Sequence, residues 1–220
     1  ALVRPDGVTV ESAFAPAYPN QYPDISYGAG DLDGTGVQLV GPGDDLRFWV
    51  PTGASRDVGG PNPFHDTGFD DSAWTPAALG VGFSTRGPDP FDDFIGTGGN
   101  LRDTLFQRGT SVYLRVPFII EDPRELTFLT LRARYDDGFV AYINGSPVLV
   151  SANPPTDGVL DFQAAAGTEQ DAIAAIALEP FPIELSRVNL LPGANTLAIH
   201  AMSAGISANR WACPALSSKA

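Results

Sequence analysis

Leu126–Val150, LTFLTLRARYDDGFVAYINGSPVLV, is the stretch whose reading decides the fold. Leu126, Phe128, Thr130 and Arg132 point one way and Thr127, Leu129, Leu131 and Ala133 the other, because successive strand residues face opposite sides. Each set carries large apolar groups, so both faces of this first strand are expected to be at least partly covered. Asp136-Asp137-Gly138 then supplies a turn, since Asp satisfies backbone donors locally and Gly tolerates positive φ. Phe139–Ile143 reads as a second strand. Asn144-Gly145 is a strong two-residue hairpin signal, and Val148–Val150 returns as the third strand. The spacing predicts a three-stranded antiparallel meander that the rest of the chain covers.

Outside that stretch the chain keeps the same character. With 24 Gly and 20 Pro in 220 residues, proline runs at roughly twice its average frequency. Apolar residues make up 43%, enough to bury a core. Ser111–Ile120, SVYLRVPFII, is a strand with Tyr113, Arg115 and Pro117 on one face and Val112, Leu114, Val116 and Phe118 on the other. Pro117 suggests an edge or a bulge. Leu46–Val50 is an apolar strand carrying Trp49, and Phe181, Ile183 and Leu185 alternate in another. Leu191-Pro192-Gly193-Ala194-Asn195 is a tight turn into a strand over Thr196–Met202, and Trp211–Leu216 is expected to close the sheet. The whole predicts an all-β, jelly-roll-like antiparallel β-sandwich over 46–220 with long Pro/Gly-rich loops. An N-terminal extension, 1–45, precedes it. That extension needs a surface to lie on: its own sandwich, or a neighbouring copy to whose sheet edge Val8–Phe14 adds a strand.

Charge excludes some partners. The formal net charge is −13, with 26 acids against 13 bases. Nucleic acid and anionic membranes both require a positive footprint, so neither is an expected partner. No apolar run reaches the ~18 residues of a membrane span, so no membrane insertion is expected. Cys213 is the single cysteine and reads as a small buried hydrophobe. The chain opens at Ala1 without Met, which fits signal-peptide removal or a trimmed chain. An extracellular or cell-surface location is the corresponding expectation.

The order FDDSAW, YLRVPFII, LRARYDDGFVAYINGSPV, LLPGANTLAIHAM and a terminal strand near CPAL resembles galactose-binding-domain-like jelly rolls. Such modules are common in large secreted bacterial proteins and as accessory domains of glycoside hydrolases. The resemblance covers about Leu46–Leu216. The leader more faintly resembles the opening of discoidin-type modules. YDDGFVAYINGSPV is similar to the Asp-Asp-Gly hairpin of protective-antigen-type domains, in some of which paired Asp residues hold calcium against sugar hydroxyls. The resemblance implies a recognition or adhesion module whose partner is a glycan, with calcium as the implied cofactor. A structural subunit that packs with copies of itself is the competing expectation. These motifs identify a fold more sharply than a ligand.

Catalysis needs a convergent set of groups, and the residues offer none. The only histidines are His65, in a loop, and His200, mid-strand, and no nucleophile elbow is present. The chain is therefore expected not to be an enzyme. Asp136 and Asp137 are adjacent carboxylates that repel unless compensated; they read either as a metal or ligand site or as turn formers, with Arg132 and Arg134 nearby in sequence. Asp31 and Asp33 open a run like a calcium loop, but Pro42 stands where an EF-hand places its bidentate Glu. A looser calcium site and a plain Asp-Gly turn both remain open there. Tyr18, Tyr22, Tyr27 and Trp211 are the candidate platforms for stacking on a sugar ring, whereas Trp49 and Trp74 read as core.

Overall fold

Ser111–Ile120 and the run after the Gly193 turn are rich in β-branched and aromatic residues, which suit a pleated, buried surface, and they form the two longest strands. The computed structural model describes residues 2–3, 10–12, 37–51, 63–85, 92–155, 160–171, 175–207, 210–213 and 217–219. The strands are β1 (Leu2–Val3), β2 (Val10–Ser12), β3 (Gln38–Val40), β4 (Asp45–Trp49), β5 (Thr75–Ala78), β6 (Val81–Ser84) and β7 (Ser111–Ile120). They continue as β8 (Leu129–Ala133), β9 (Gly138–Ile143), β10 (Ser146–Val150), β11 (Glu179–Ile183), β12 (Gly193–Met202), β13 (Arg210–Cys213) and β14 (Ser217–Lys219). A single short α-helix, Arg102–Leu105, is named among the described residues, beside three 3-10 turns.

Two compact units result, Ala1–Gly36 and Val37–Ala220. In the first, β1 pairs antiparallel with β2. The second holds a six-stranded sheet, β10-β9-β12-β7-β4-β5, and a four-stranded sheet, β11-β8-β14-β3; β13 pairs with β6 beside them. The named ladders are all antiparallel, as expected for an antiparallel β-sandwich. The sandwich unit begins at Val37 and takes in β3, ahead of the expected boundary at 45/46. Among the described residues no helix is long and apolar enough to cross a membrane.

The core lies between the two sheets. Leu46, Phe48, Leu114, Val116, Leu197, Ile199, Phe139 and Ala141 come from the larger sheet, and Val40, Leu129, Leu131, Ala133, Phe181 and Ile183 from the smaller. Phe139 meets Phe181 edge-on at 5.8 Å, a pair that joins the two layers.

The meander expected over 126–150 is only half present. Asn144 and Gly145 have φ of 48° and 86°, the primed turn that matches strand twist, and β9 and β10 pair across it. β8, however, pairs with β11 and β14, whereas β9 pairs with β10 and β12. Asp136-Asp137-Gly138 is thus the corner at which the chain crosses from one sheet to the other. Leu129, Leu131 and Ala133 face the core, while Thr130 and Arg132 on the other side are half-buried, so both sides of β8 are at least partly covered, as expected. Leu126 follows a short 3-10 turn, Pro123–Glu125, and Phe128 is exposed.

Two further expectations shift. The closing strand is split, since β13 pairs with β6 while β14 fills the slot between β8 and β3. Pro117 sits in a central strand, yet the pairing with β4 covers only Tyr113, Leu114 and Arg115, so the missing N–H falls beyond that ladder.

Candidate functional site

Both faces of β7 are buried as far as Val116, although the sandwich core needs only one of them. The outer face is covered by residues 63–74, a strap built from turns. Asp66 N donates to Pro63 O, Phe69 N to Asp66 O and Trp74 N to Asp71 O. Asp70 accepts from Ser72 N at 3.0 Å and so caps the last of these turns. Beneath the strap lies an aromatic layer. Trp49 stacks on Trp74 at 6.1 Å and on Tyr113 at 6.0 Å, Phe64 lies 4.7 Å from Tyr113, and Phe69 meets Trp74 at 5.3 Å. Trp74 is core, as expected, while Trp49 is half-buried at its margin.

Register places Arg47 of β4 directly opposite Arg115 of β7. Like charges in facing positions repel, so something must stand between them. Asp71 of the strap does: its Oδ2 accepts from Arg115 Nε at 2.7 Å, and its Oδ1 lies 3.7 Å from Arg47 Nε. Arg115 Nη1 also donates to the carbonyls of Phe64 and Asp66, and its guanidinium lies over the Phe69 ring at 5.3 Å. Arg115 is 4% exposed. A charge so buried is tolerated only when paired and hydrogen-bonded, and here the pairing pins the strap to the sheet.

Beside the strap opens a cleft of about 750 Å³. Arg47, Arg115, Pro117 and Thr196 come from the sheet, Thr67, Phe69 and Asp71 from the strap, and Thr97 from the loop before the helix. That loop is drawn in by Gly80, whose φ is 104° and where a Cβ would stand 2.1 Å from Phe94 O. Gly96 N donates to Gly80 O and Ala78 N to Thr97 O, which seats Thr97 at the rim. The cleft combines donors, acceptors, hydroxyls and flat apolar surfaces.

Of the residues singled out in the sequence, Asp136 and Asp137 do not line this cleft. Tyr18, Tyr22, Tyr27, Asp31 and Asp33 lie outside the described residues. Trp211 pairs through its backbone with Phe83, and its side chain lies outside the description. Asp136 and Asp137 are buried at the inter-sheet corner. Asp137 Oδ2 accepts from Ala204 N at 2.7 Å and from Ser203 Oγ at 3.3 Å, and Oδ1 accepts from Gln170 N at 3.3 Å. Burial pushes its pKa up against those donors. Donors converging on an anion do not fit a calcium cage, which needs oxygens converging on a cation. Among the described residues no three His, Cys, Asp or Glu side chains gather to hold a metal ion. Arg134 does not reach over the corner; it donates to Ile176 O and lies over Phe94 at 4.2 Å.

His200 is buried against Ser111, with Nε2 2.9 Å from Ser111 Oγ. Ser111 Oγ donates to Ala164 O, so the imidazole supplies the proton of that contact. Burial pushes its pKa down to about 3. A serine that gives its proton to a carbonyl is no activated nucleophile. Arg47 and Arg115 escaped the sequence reading as a site, whereas Asp71, with Asp70, is open there to a ligand or turn-capping role. The available signal was Arg115 itself, a charge inside an otherwise apolar strand that must find a partner.

No family model matches the chain, and no curated protein matches it. Among solved structures, a calcium-binding mutant of Bacteroides uniformis β-glucuronidase 2 is similar at 16% identity and a TM-score of 0.43, over 80% of this chain and 18% of that one. The Ruminococcus gnavus β-glucuronidase in complex with D-glucaro 1,5-lactone is similar at 10% identity and a TM-score of 0.44, over 76% of this chain and 22% of that one. The chain thus spans about a fifth of the length of these solved chains.

Proposed function

We propose that this chain is a galactose-binding-domain-like, non-enzymatic module that binds carbohydrate in a secreted or cell-surface setting. The observation that carries the reading is the cleft on the outer face of the six-stranded sheet. Its Arg47–Asp71 pair, threonine hydroxyls and flat Phe69, Pro76 and Pro117 surfaces suit a ligand that presents hydroxyls on its edges and C–H groups on its faces. The buried, proton-donating state of Ser111 and the neutral His200 support a role without turnover. The acidic surface supports the absence of nucleic acid among its partners. The competing role, a subunit joined to its copies through the extension, has weaker support, because Val10–Ser12 is already paired with Leu2–Val3.

Sedimentation of the purified chain with insoluble polysaccharides tests this reading, with reducing ends assayed in the supernatant. Retention on at least one polysaccharide without release of reducing ends is expected. Retention on none overturns the binding role, and release of reducing ends overturns the non-enzymatic one.

A further inference from the structure

We infer that the cleft recognises a neutral vicinal diol through Arg47 and Asp71, with Arg115 acting only as a positioning residue. The inference rests on the carbohydrate reading above and specifies its chemistry. Arg115 is committed to Asp71 and to two strap carbonyls, and it is buried. Arg47 also donates from Nη1 to two strap carbonyls, Ser72 O at 3.3 Å and Trp74 O at 3.1 Å, but its Nε is not committed in this way. Its side chain is 40% exposed, and its Nε stands 3.7 Å from Asp71 Oδ1, too far for a hydrogen bond. The pair therefore presents a donor and an acceptor side by side, neither satisfied by the other.

A sugar hydroxyl donates one hydrogen bond and accepts others, so two adjacent hydroxyls match such a pair: one gives its proton to Asp71 Oδ1 and the other accepts from Arg47. A carboxylate offers acceptors only, and would meet Asp71 with nothing to donate. Charge points the same way. Arg47 and Arg115 are balanced within the cleft by Asp45 and Asp71, so no surplus positive charge awaits an anion. The chain as a whole carries −13, which repels an anionic glycan further. Phe69 offers a ring for the C–H face of the same sugar.

Titration calorimetry on the full chain tests this with three matched pairs of oligosaccharides: glucose and glucuronate, galactose and galacturonate, mannose and mannuronate. The members of each pair differ only in the oxidation of the C6 hydroxymethyl group. Binding of a neutral member at least tenfold tighter than its uronate counterpart is expected. Arg47→Met is expected to weaken the neutral ligand at least tenfold and also to lower the melting temperature, since it removes the Nη1 bonds to Ser72 O and Trp74 O. A uronate bound equally or more tightly overturns the inference of a neutral ligand and leaves carbohydrate binding standing. Neutral binding unaffected by Arg47→Met overturns the diol inference, by moving the site elsewhere. No binding by any member of the three pairs overturns both readings. The matched pairs need no variant, so the decision stands even where Arg47→Met fails to fold.

Discussion

Leu114 and Arg115 are neighbours in β7, both almost fully buried, and they face opposite sides of the same sheet. Leu114 packs into the inter-sheet core among Phe48, Ile199 and their neighbours, where any apolar side chain of similar shape would serve. Arg115 holds the strap by hydrogen bonds whose partners and directions are specific. The inner face is thus held by non-directional burial. The outer cover adds to its aromatic packing the polar tie at Arg115, and at the inter-sheet corner Asp137 likewise holds Ala204 and Gln170. Non-directional packing gives stability, and directional ties give shape, which is what a binding surface requires.

Leu114→Ala should separate the two regimes most clearly. It is expected to cost about 3–4 kcal/mol in urea unfolding, much the same at low and high salt, because the loss is transfer and cavity. A strongly salt-dependent loss would contradict an apolar inner face. Arg115→Met keeps much of the volume but leaves Asp71 with Arg47 alone. The expected loss is about 2–3 kcal/mol, below the range for a fully buried pair because Asp71 is 29% exposed. Limited proteolysis should then cut within 63–74 while the sandwich survives; a strap that remains protected would show that the tie is unnecessary.

Asp137→Asn tests the second tie. Both carboxylate oxygens accept backbone N–H groups, so the amide must turn its NH2 toward one of them. A loss of about 1–2 kcal/mol is expected. The sign of the pH dependence also checks it. The raised pKa makes the folded state hold its proton more tightly than the unfolded chain, so this group's contribution is most favourable at low pH and is lost as pH rises through the folded value. Asp137→Asn should remove that component. At neutral pH His200→Gln should matter least, since the imidazole is neutral there. Burial depresses its folded pKa to about 3 from the ordinary 6.5, so its contribution is present above 6.5 and is lost as pH falls toward 3. The wild-type acid limb should therefore steepen by on the order of 1 kcal/mol per pH unit in that window, and the variant should lack this component. Identical acid limbs would mean that His200 is not held neutral.

The elements that could be read from the chain are those whose cause is local. Asn144-Gly145 makes its turn because the two residues adopt positive φ at little cost, and that is a property of the residues themselves. Ser111–Ile120 and the strand after Gly193 follow from β-branched and aromatic runs bounded by turn residues. The all-β class follows from the same local signals.

Partner choice was decided by tertiary structure alone. Leu129, Leu131 and Ala133 gain more by facing Phe139 across the core, beside Phe181 of β11, than by lying beside β9 in one sheet, so the Asp136-Asp137 corner became a crossing. No local preference distinguishes the two outcomes, because a turn and a crossing use the same residues. Arg47, Asp71 and Arg115 are likewise far apart in the chain and meet only through β4–β7 register and the fold of the strap. Sequence determined that Arg115 needed a partner; sheet pairing, which is non-local, determined which one, and with it where the cleft lies.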